Sequence, residues 1–311
     1  MLRFAAALVA LGLSLTPAAA QDKLTILLDW FANPDHAPLV VAKEGGFFAK
    51  HGLEVELIEP ADPNAPPKLV AARQGDIAVT YQPNLYLQIE EGLPLKRIGA
   101  LVDTPLNCLM VKEDGPIKSI KDLKGKKIGY SISGFEDALL GVMLENNGLS
   151  AKDVEMVNVN FSLTPAVLAD QVDGVVGAFR NFELTQMRIA GGKGLAFYPE
   201  ENGVPLYDEL IYVVHSDAVG DPRMKKFMHA VQEATIFLIN HPDDSWKLFL
   251  KAYPKLDDAL NRAAWVDTLR RFAKSPATLD RARYDAFGKF MKDRGLIKSV
   301  PALDTYTAEI H

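Results

Sequence analysis

Residues 24–48 read LTILLDWFANPDHAPLVVAKEGGFF: a short apolar run, a polar-aromatic loop and a helix-period segment in direct succession. The run 24–28 is too short for a helix and fits a buried strand. Asn33-Pro34-Asp35 is a turn signal, which makes 29–38 a loop. Apolar residues at 39, 40, 41, 42, 47 and 48 predict a helix over 39–50 that ends near Gly52. In open α/β folds, ligands bind at the carboxyl ends of strands, where such a loop sits. Asp29, Trp30, Phe31, Asn33 and His36 give this loop a dense set of stacking and hydrogen-bonding groups.

Outward from this unit the same grammar repeats. Strands are expected at 53–58, 77–80, 95–102 and 106–111, and helices at 68–74 and 85–91. Tyr81-Gln82-Pro83-Asn84 is read as a second loop at a strand end. Glu113-Asp114-Gly115-Pro116 is a strong break. Beyond it, strands at 127–130, 154–158, 174–178, 195–198 and 210–215 alternate with short helices. Ser131-Ile132-Ser133-Gly134-Phe135 and 179–183 form their loops. From Pro222 onward the pattern is helical. Successive α/β units with polar loops at strand ends predict two lobes facing a cleft: 21–112 with 207–311, and 113–206.

The chain has 311 residues, enough for two ordinary domains or one large one. Its net charge of −6 argues against a nucleic-acid partner, since such binders carry a basic excess. Arg3, the apolar segment 4–15 and Ala18-Ala19-Ala20 follow the pattern of a secretory signal peptide, with the mature chain starting at Gln21. A membrane anchor is the alternative, but a span needs about 20 apolar residues. The sole cysteine, Cys108, rules out an internal disulfide and a Cys-x-x-Cys site. It reads as a small buried residue.

"DWFANPDHAPLVVAKEGGFFAKHGLEVEL", "QGDIAVTYQP", "DLKGKKIGY" and "VDGVVGAFRNFEL" together resemble the periplasmic binding proteins for thiamine pyrimidine precursors. The resemblance spans nearly the whole mature chain. That family usually shows Trp-Phe-Pro-Asn where this chain has Trp30-Phe31-Ala32-Asn33. The likeness implies an α/β fold of the type II periplasmic-binding-protein kind, with two lobes, two crossover strands and a ligand cleft between them. It also implies a periplasmic monomer that meets the permease of an ABC importer and, through it, an ATPase subunit.

Each candidate residue has a functional and an ordinary reading. Trp30 can stack a flat heteroaromatic ring or be a core tryptophan. Asn33 and His36 can bond a ligand; equally, Asn33 forms turns before Pro34 and His36 can cap the following helix. Asp29 can take an amino group or merely orient the loop. Phe31 reads as packing. Tyr81 and Gln82 can read a ligand or lie on a solvent-facing loop. Ser131, Ser133 and Gly134 stand between a strand and a helix, where exposed N–H groups favour an anion or carbonyl oxygen, although serines also cap helices. Glu183 can accept from an exocyclic amine and a protonated ring nitrogen together, or pair with Arg180. The resemblance favours ligand contact for Trp30 and Glu183. No cofactor and no metal are expected.

The function expected from these residues and that likeness is a receptor for an aminopyrimidine, working by lobe closure. An enzyme like the related pyrimidine synthase, using pyridoxal and His36, is the second reading. A receptor for riboflavin, a sulfonate such as taurine or another flat solute is the third.

Overall fold

The computed structural model describes residues 21–310. The expected signal peptide, 1–20, lies outside the described residues. Ten strands are described: β1 Asp22–Leu27, β2 Leu53–Ile58, β3 Ile77–Thr80, β4 Leu95–Val102, β5 Asn107–Lys112, β6 Lys126–Tyr130, β7 Val154–Asn158, β8 Gly174–Phe179, β9 Gly194–Phe197 and β10 Leu210–His215. They form two five-stranded sheets, ordered β2-β1-β3-β10-β4 and β7-β6-β8-β5-β9.

Both sheets are mixed, and for the same reason. The βα units supply parallel pairs, β1 with β2 and β3 in one sheet and β6 with β7 and β8 in the other. The crossing strands run against them: β10 lies antiparallel between β3 and β4, and β5 antiparallel between β8 and β9. The chain therefore changes sheet between Val102 and Asn107, ahead of the 112–113 boundary read from the pattern. It returns between Phe197 and Leu210. A run of apolar residues cannot reveal which sheet an edge-to-edge strand joins, because 107–112 is buried wherever it pairs.

Two local expectations are corrected. The helix expected over 39–50 is broken into Ala37–Glu44 and Phe47–Lys50, because Gly46 takes a left-handed φ of 78°. The loop expected at 81–84 is helical from its second residue: Gln82–Glu90 starts with Pro83 in its first turn, where proline's missing N–H costs nothing. The late helices Pro222–Asn240, Pro242–Ala252 and Arg281–Asp293 pack Phe227, Val231, Phe249, Phe287 and Met291 into the core beneath the first sheet. Asp221 and Asp280 cap two of them by accepting from the N–H groups of Arg223 and Arg283. Cys108 is buried in the core of the second sheet, and burial pushes its thiol pKa up. Among the described residues no helix is long and apolar enough to cross a membrane.

Candidate functional site

The loop after β1 is folded by its own side chains. Asn33 Oδ1 accepts from the Asp35 N–H at 2.8 Å, and His36 Nδ1 accepts from the Asn33 N–H at 3.3 Å. These reciprocal bonds wind Pro34–His36 into a single helical turn. Because His36 Nδ1 accepts, its proton sits on Nε2, 3.0 Å from Asp29 Oδ1. Asp29 Oδ2 takes a second bond, from the Tyr81 hydroxyl at 2.8 Å. Asp29, His36 and Tyr81 are all buried, so this braced triad forms a rigid wall.

The second sheet supplies the facing wall. Glu183 is the first residue of the helix Glu183–Ile189, not a loop residue as expected from the pattern. Its Oε2 accepts from the Phe179 N–H at 2.7 Å. Arg180 does not pair with it; the guanidinium forks onto Glu200 at 2.6 and 3.0 Å and lies over the Tyr198 ring. Glu136 stands in the first turn of the helix Phe135–Asn146 and accepts from the Ser131 N–H at 2.6 Å.

Between the walls is a cavity with about 420 Å³ of empty space, part of it open to solvent. Asp29, Trp30, Asn33, Asp35, His36 and Tyr81 line it from the first sheet's side. Glu136, Leu163, Gly177, Phe179, Phe182 and Glu183 line it from the other. Trp30 is half-buried, edge-on to Phe161 with ring centres 4.6 Å apart. Phe31 is 46% exposed and packs its ring on Phe161 at 4.4 Å, so the rim of the cavity is aromatic from both sides. The walls are also tied directly: Asn181 Nδ2 donates to Asp35 Oδ1 at 2.6 Å and to Thr268 Oγ1 at 2.7 Å.

The electrostatics of the cavity are one-sided. It is lined by Asp29, Asp35, Glu136 and Glu183, and by no lysine or arginine. Burial pushes the Glu136 and Glu183 carboxyls up to about 8, against the backbone N–H groups that hold them. Burial likewise raises Asp35 to about 6, while His36, Asn181 and Thr268 oppose the rise.

The sequence-expected residues Trp30, Asn33, His36, Asp29, Tyr81 and Glu183 converge on this cavity. Gln82, Ser131, Ser133 and Gly134 are not among the residues that line it. Gln82 is buried with its Oε1 accepting from the Asp208 N–H at 2.7 Å, which leaves it bracing β10. The Ser131 hydroxyl donates to the Asn160 carbonyl. Ser133 is exposed and its N–H is already bonded to Asn64 Oδ1 at 3.0 Å. Gly134 begins the helix beside Leu87. The residues that sequence reasoning missed are Asp35, Glu136, Leu163, Gly177, Phe179 and Phe182. Asp35 was visible only as a turn residue, and Phe179 and Phe182 only as members of the loop after a strand. Among the described residues no group of histidine, cysteine and carboxylate side chains could hold a metal ion.

Comparison with known proteins agrees with this architecture. An alkanesulfonate-binding protein from Xanthomonas axonopodis pv. citri superposes with a TM-score of 0.72 over 94% of this chain and 100% of its own, at 17% identity. That identity shows the fold alone, which is the periplasmic-binding-protein fold. A Haemophilus influenzae protein named for thiamine biosynthesis is 52% identical over 96% of both chains. The formylaminopyrimidine-binding protein of Halalkalibacterium halodurans is 30% identical over 74% of this chain and 71% of its own. A Legionella pneumophila protein named 4-amino-5-hydroxymethyl-2-methylpyrimidine phosphate synthase is 25% identical over 89% of this chain and 88% of its own. Residues 33–245 match the family model described as NMT1/THI5 like, and with these relatives that match places the chain in the NMT1/THI5-like family.

Proposed function

We propose that this chain is an exported solute receptor that binds an aminopyrimidine precursor of thiamine and hands it to an ABC importer. The observation that carries this reading is the cavity itself. An indole and two phenyl rings surround a space lined by Asp29, Asp35, Glu136 and Glu183 with no basic side chain. Such a space suits a flat ring that brings amine N–H donors. It disfavours a sulfonate or phosphate ester, whose charge would sit among carboxylates without a partner. The name of the Halalkalibacterium relative supports the ligand class, and the pattern of residues 1–20 supports export.

In this reading Trp30 stacks the ring, and Glu183 on the facing wall accepts from the amine. Lobe 21–106 with 207–310 and lobe 107–206 would close over the ligand, since its contacts with both favour the closed state. The names of the synthase relatives keep catalysis as the competitor. Against it, both His36 nitrogens are engaged within the wall, by Asn33 and Asp29, which makes this histidine a brace.

The test is titration calorimetry with a formylated aminomethyl-pyrimidine. Trp30→Ala and Glu183→Gln should each weaken binding about tenfold or more, from stacking of about 1–3 kcal/mol and a charged hydrogen bond of about 1.5–3 kcal/mol. Unchanged affinity in both variants would remove the site. A thermal-shift screen over pyrimidines, flavins and sulfonates checks the solute class. An absorbance scan for bound pyridoxal separates receptor from enzyme.

A further inference from the structure

A closed cavity must satisfy both kinds of polar atom on an aminopyrimidine. The amine needs acceptors, which the carboxylates provide. The ring nitrogens need donors, and here the site is short. Asn33 Nδ2 spends one of its two N–H bonds on the Phe31 carbonyl at 3.1 Å, which leaves one side-chain donor on this wall. The Tyr81 hydroxyl and His36 Nε2 both point at Asp29. The Phe179 N–H is taken by Glu183, and the Gly177 N–H lies 3.2 Å from Asn107 Oδ1. The Trp30 N–H lies in the plane of its ring, so a ligand stacked on the face of that ring receives nothing from it.

One carboxyl is held against bare backbone within this cavity. Glu136 is 3% exposed, and its carboxyl lies over Gly177 in β8. A Cβ at position 177 would come within 2.2 Å of Glu136 Oε1 and 2.5 Å of Oε2. Gly177 also has a φ of 97°, a conformation that L side chains rarely adopt. The helix carrying Glu136 is fixed to the opposite wall, because the preceding Phe135 stacks on Tyr81 with ring centres 5.0 Å apart and 20° between planes. The position of Glu136 is thus fixed by a backbone bond, by a bare strand residue and by an aromatic contact across the cleft.

We propose that Glu136 is a specificity-determining residue that enters the site as a carboxylic acid and donates its O–H to a ring nitrogen of the ligand. This rests on the aminopyrimidine reading above. The Ser131 N–H donates to Oε2 and the Ile132 N–H also holds the carboxyl, so the proton offered to the ligand is carried on the edge of the group that those bonds leave toward the cavity. Burial and the neighbouring acids favour that proton against the Ser131 and Ile132 N–H groups, which favour the ionised form. Tyr81, Glu209 and Asp137 all act on it, and none supplies positive charge. Burial, the largest cause, lifts the group to about 8. A buried acid kept neutral so that it can donate is an established way to meet an acceptor in an apolar site. Glu183 is raised similarly, but an amine bound to it favours its ionised form.

The experiment compares Glu136→Gln, Glu136→Ala and wild type in two measurements. Infrared difference spectra of ligand-free protein at neutral pH should show a protonated-carboxyl band that is lost in both variants. Calorimetry with the formylated aminomethyl-pyrimidine should show Glu136→Gln within about threefold of wild type, since an amide can accept from Ser131 and donate to the ring. Glu136→Ala should bind at least about tenfold more weakly. Wild-type affinity should also fall as pH rises past about 8, by more than that of Glu136→Gln. An absent carboxyl band, or Glu136→Ala binding as well as wild type, overturns the donor role while leaving the receptor reading intact. Wild type that binds no aminopyrimidine overturns both.

Discussion

The two walls of the cavity are built on opposite plans. The wall after β1 is nearly saturated: Asp29, His36, Tyr81 and Asn33 bond to one another and to local backbone, while Asp35 Oδ2 is buried without a partner. The wall on the second sheet is not: Glu136 is held by the Ser131 and Ile132 N–H groups and Glu183 by those of Phe179 and its own backbone, and both carboxyls line the cavity without a side-chain partner. A saturated wall is rigid and presents a fixed shape, which suits stacking on Trp30. An unsaturated wall carries the cost of buried acids until a ligand pairs with them, which makes it the wall that discriminates. The difference assigns stability to one side and recognition to the other.

That assignment is broken most easily at Asp29. Asp29→Ala strips the partner from both His36 and Tyr81, each buried, at about 1–3 kcal/mol for each group left unpaired. Urea unfolding should show the largest loss of stability among single variants of the cavity. A midpoint equal to wild type would show that the braced wall is not what holds the loop.

The next effect is on pH dependence and belongs mostly to the other wall. Glu136 and Glu183 are raised from 4.5 to about 8, Glu209 at the sheet crossover to about 7, and Asp35 from 3.8 to about 6. Burial is the leading cause in each. These groups bind a proton more tightly folded than unfolded. Their contribution to stability is complete below 3.8–4.5 and is lost as pH rises through about 6 to 8. The melting temperature of ligand-free protein should therefore fall from pH 5 to pH 9. The double variant Glu136→Gln with Glu183→Gln should flatten much of that fall. An equally steep fall in the double variant would place the sensitivity outside this wall.

The walls also differ in how well the sequence announced them. The first is contiguous: a strand end, Asn33-Pro34-Asp35 and His36 carry their turn chemistry within a few residues, and local bonds make the loop. The ordinary reading of Asn33 holds there, since it caps the turn while lining the cavity; the capping expected of His36 on the following helix does not, because its ring bonds back to the Asn33 N–H and makes no cap bond to that helix. The second wall is assembled from residues far apart. Glu136 reads as an unremarked first-turn acid, and Gly177 as one more small residue in a buried strand. Only the packing of the helix Phe135–Asn146 on β8 shows that each needs the other. Strand order was hidden for a similar reason, because β5 is equally apolar in either sheet.

The smallest effect is expected where the sequence pointed to an anion site. Exposed N–H groups at a strand–helix junction suggest one in general, and Ser131, Ser133 and Gly134 have the right residue types. The structure uses those groups internally. The Ser131 N–H serves Glu136, the Ser133 N–H serves Asn64, and the Ser131 hydroxyl serves Asn160. Ser133→Ala removes an exposed hydroxyl outside the cavity lining and leaves its N–H in place. Its affinity for the formylated aminomethyl-pyrimidine should match wild type within about 0.5 kcal/mol, the usual range for surface substitutions. A tenfold loss would mean that the ligand reaches past Glu136 to the loop. The unsaturated wall would then extend to Ser133, and recognition would not end at the carboxyls.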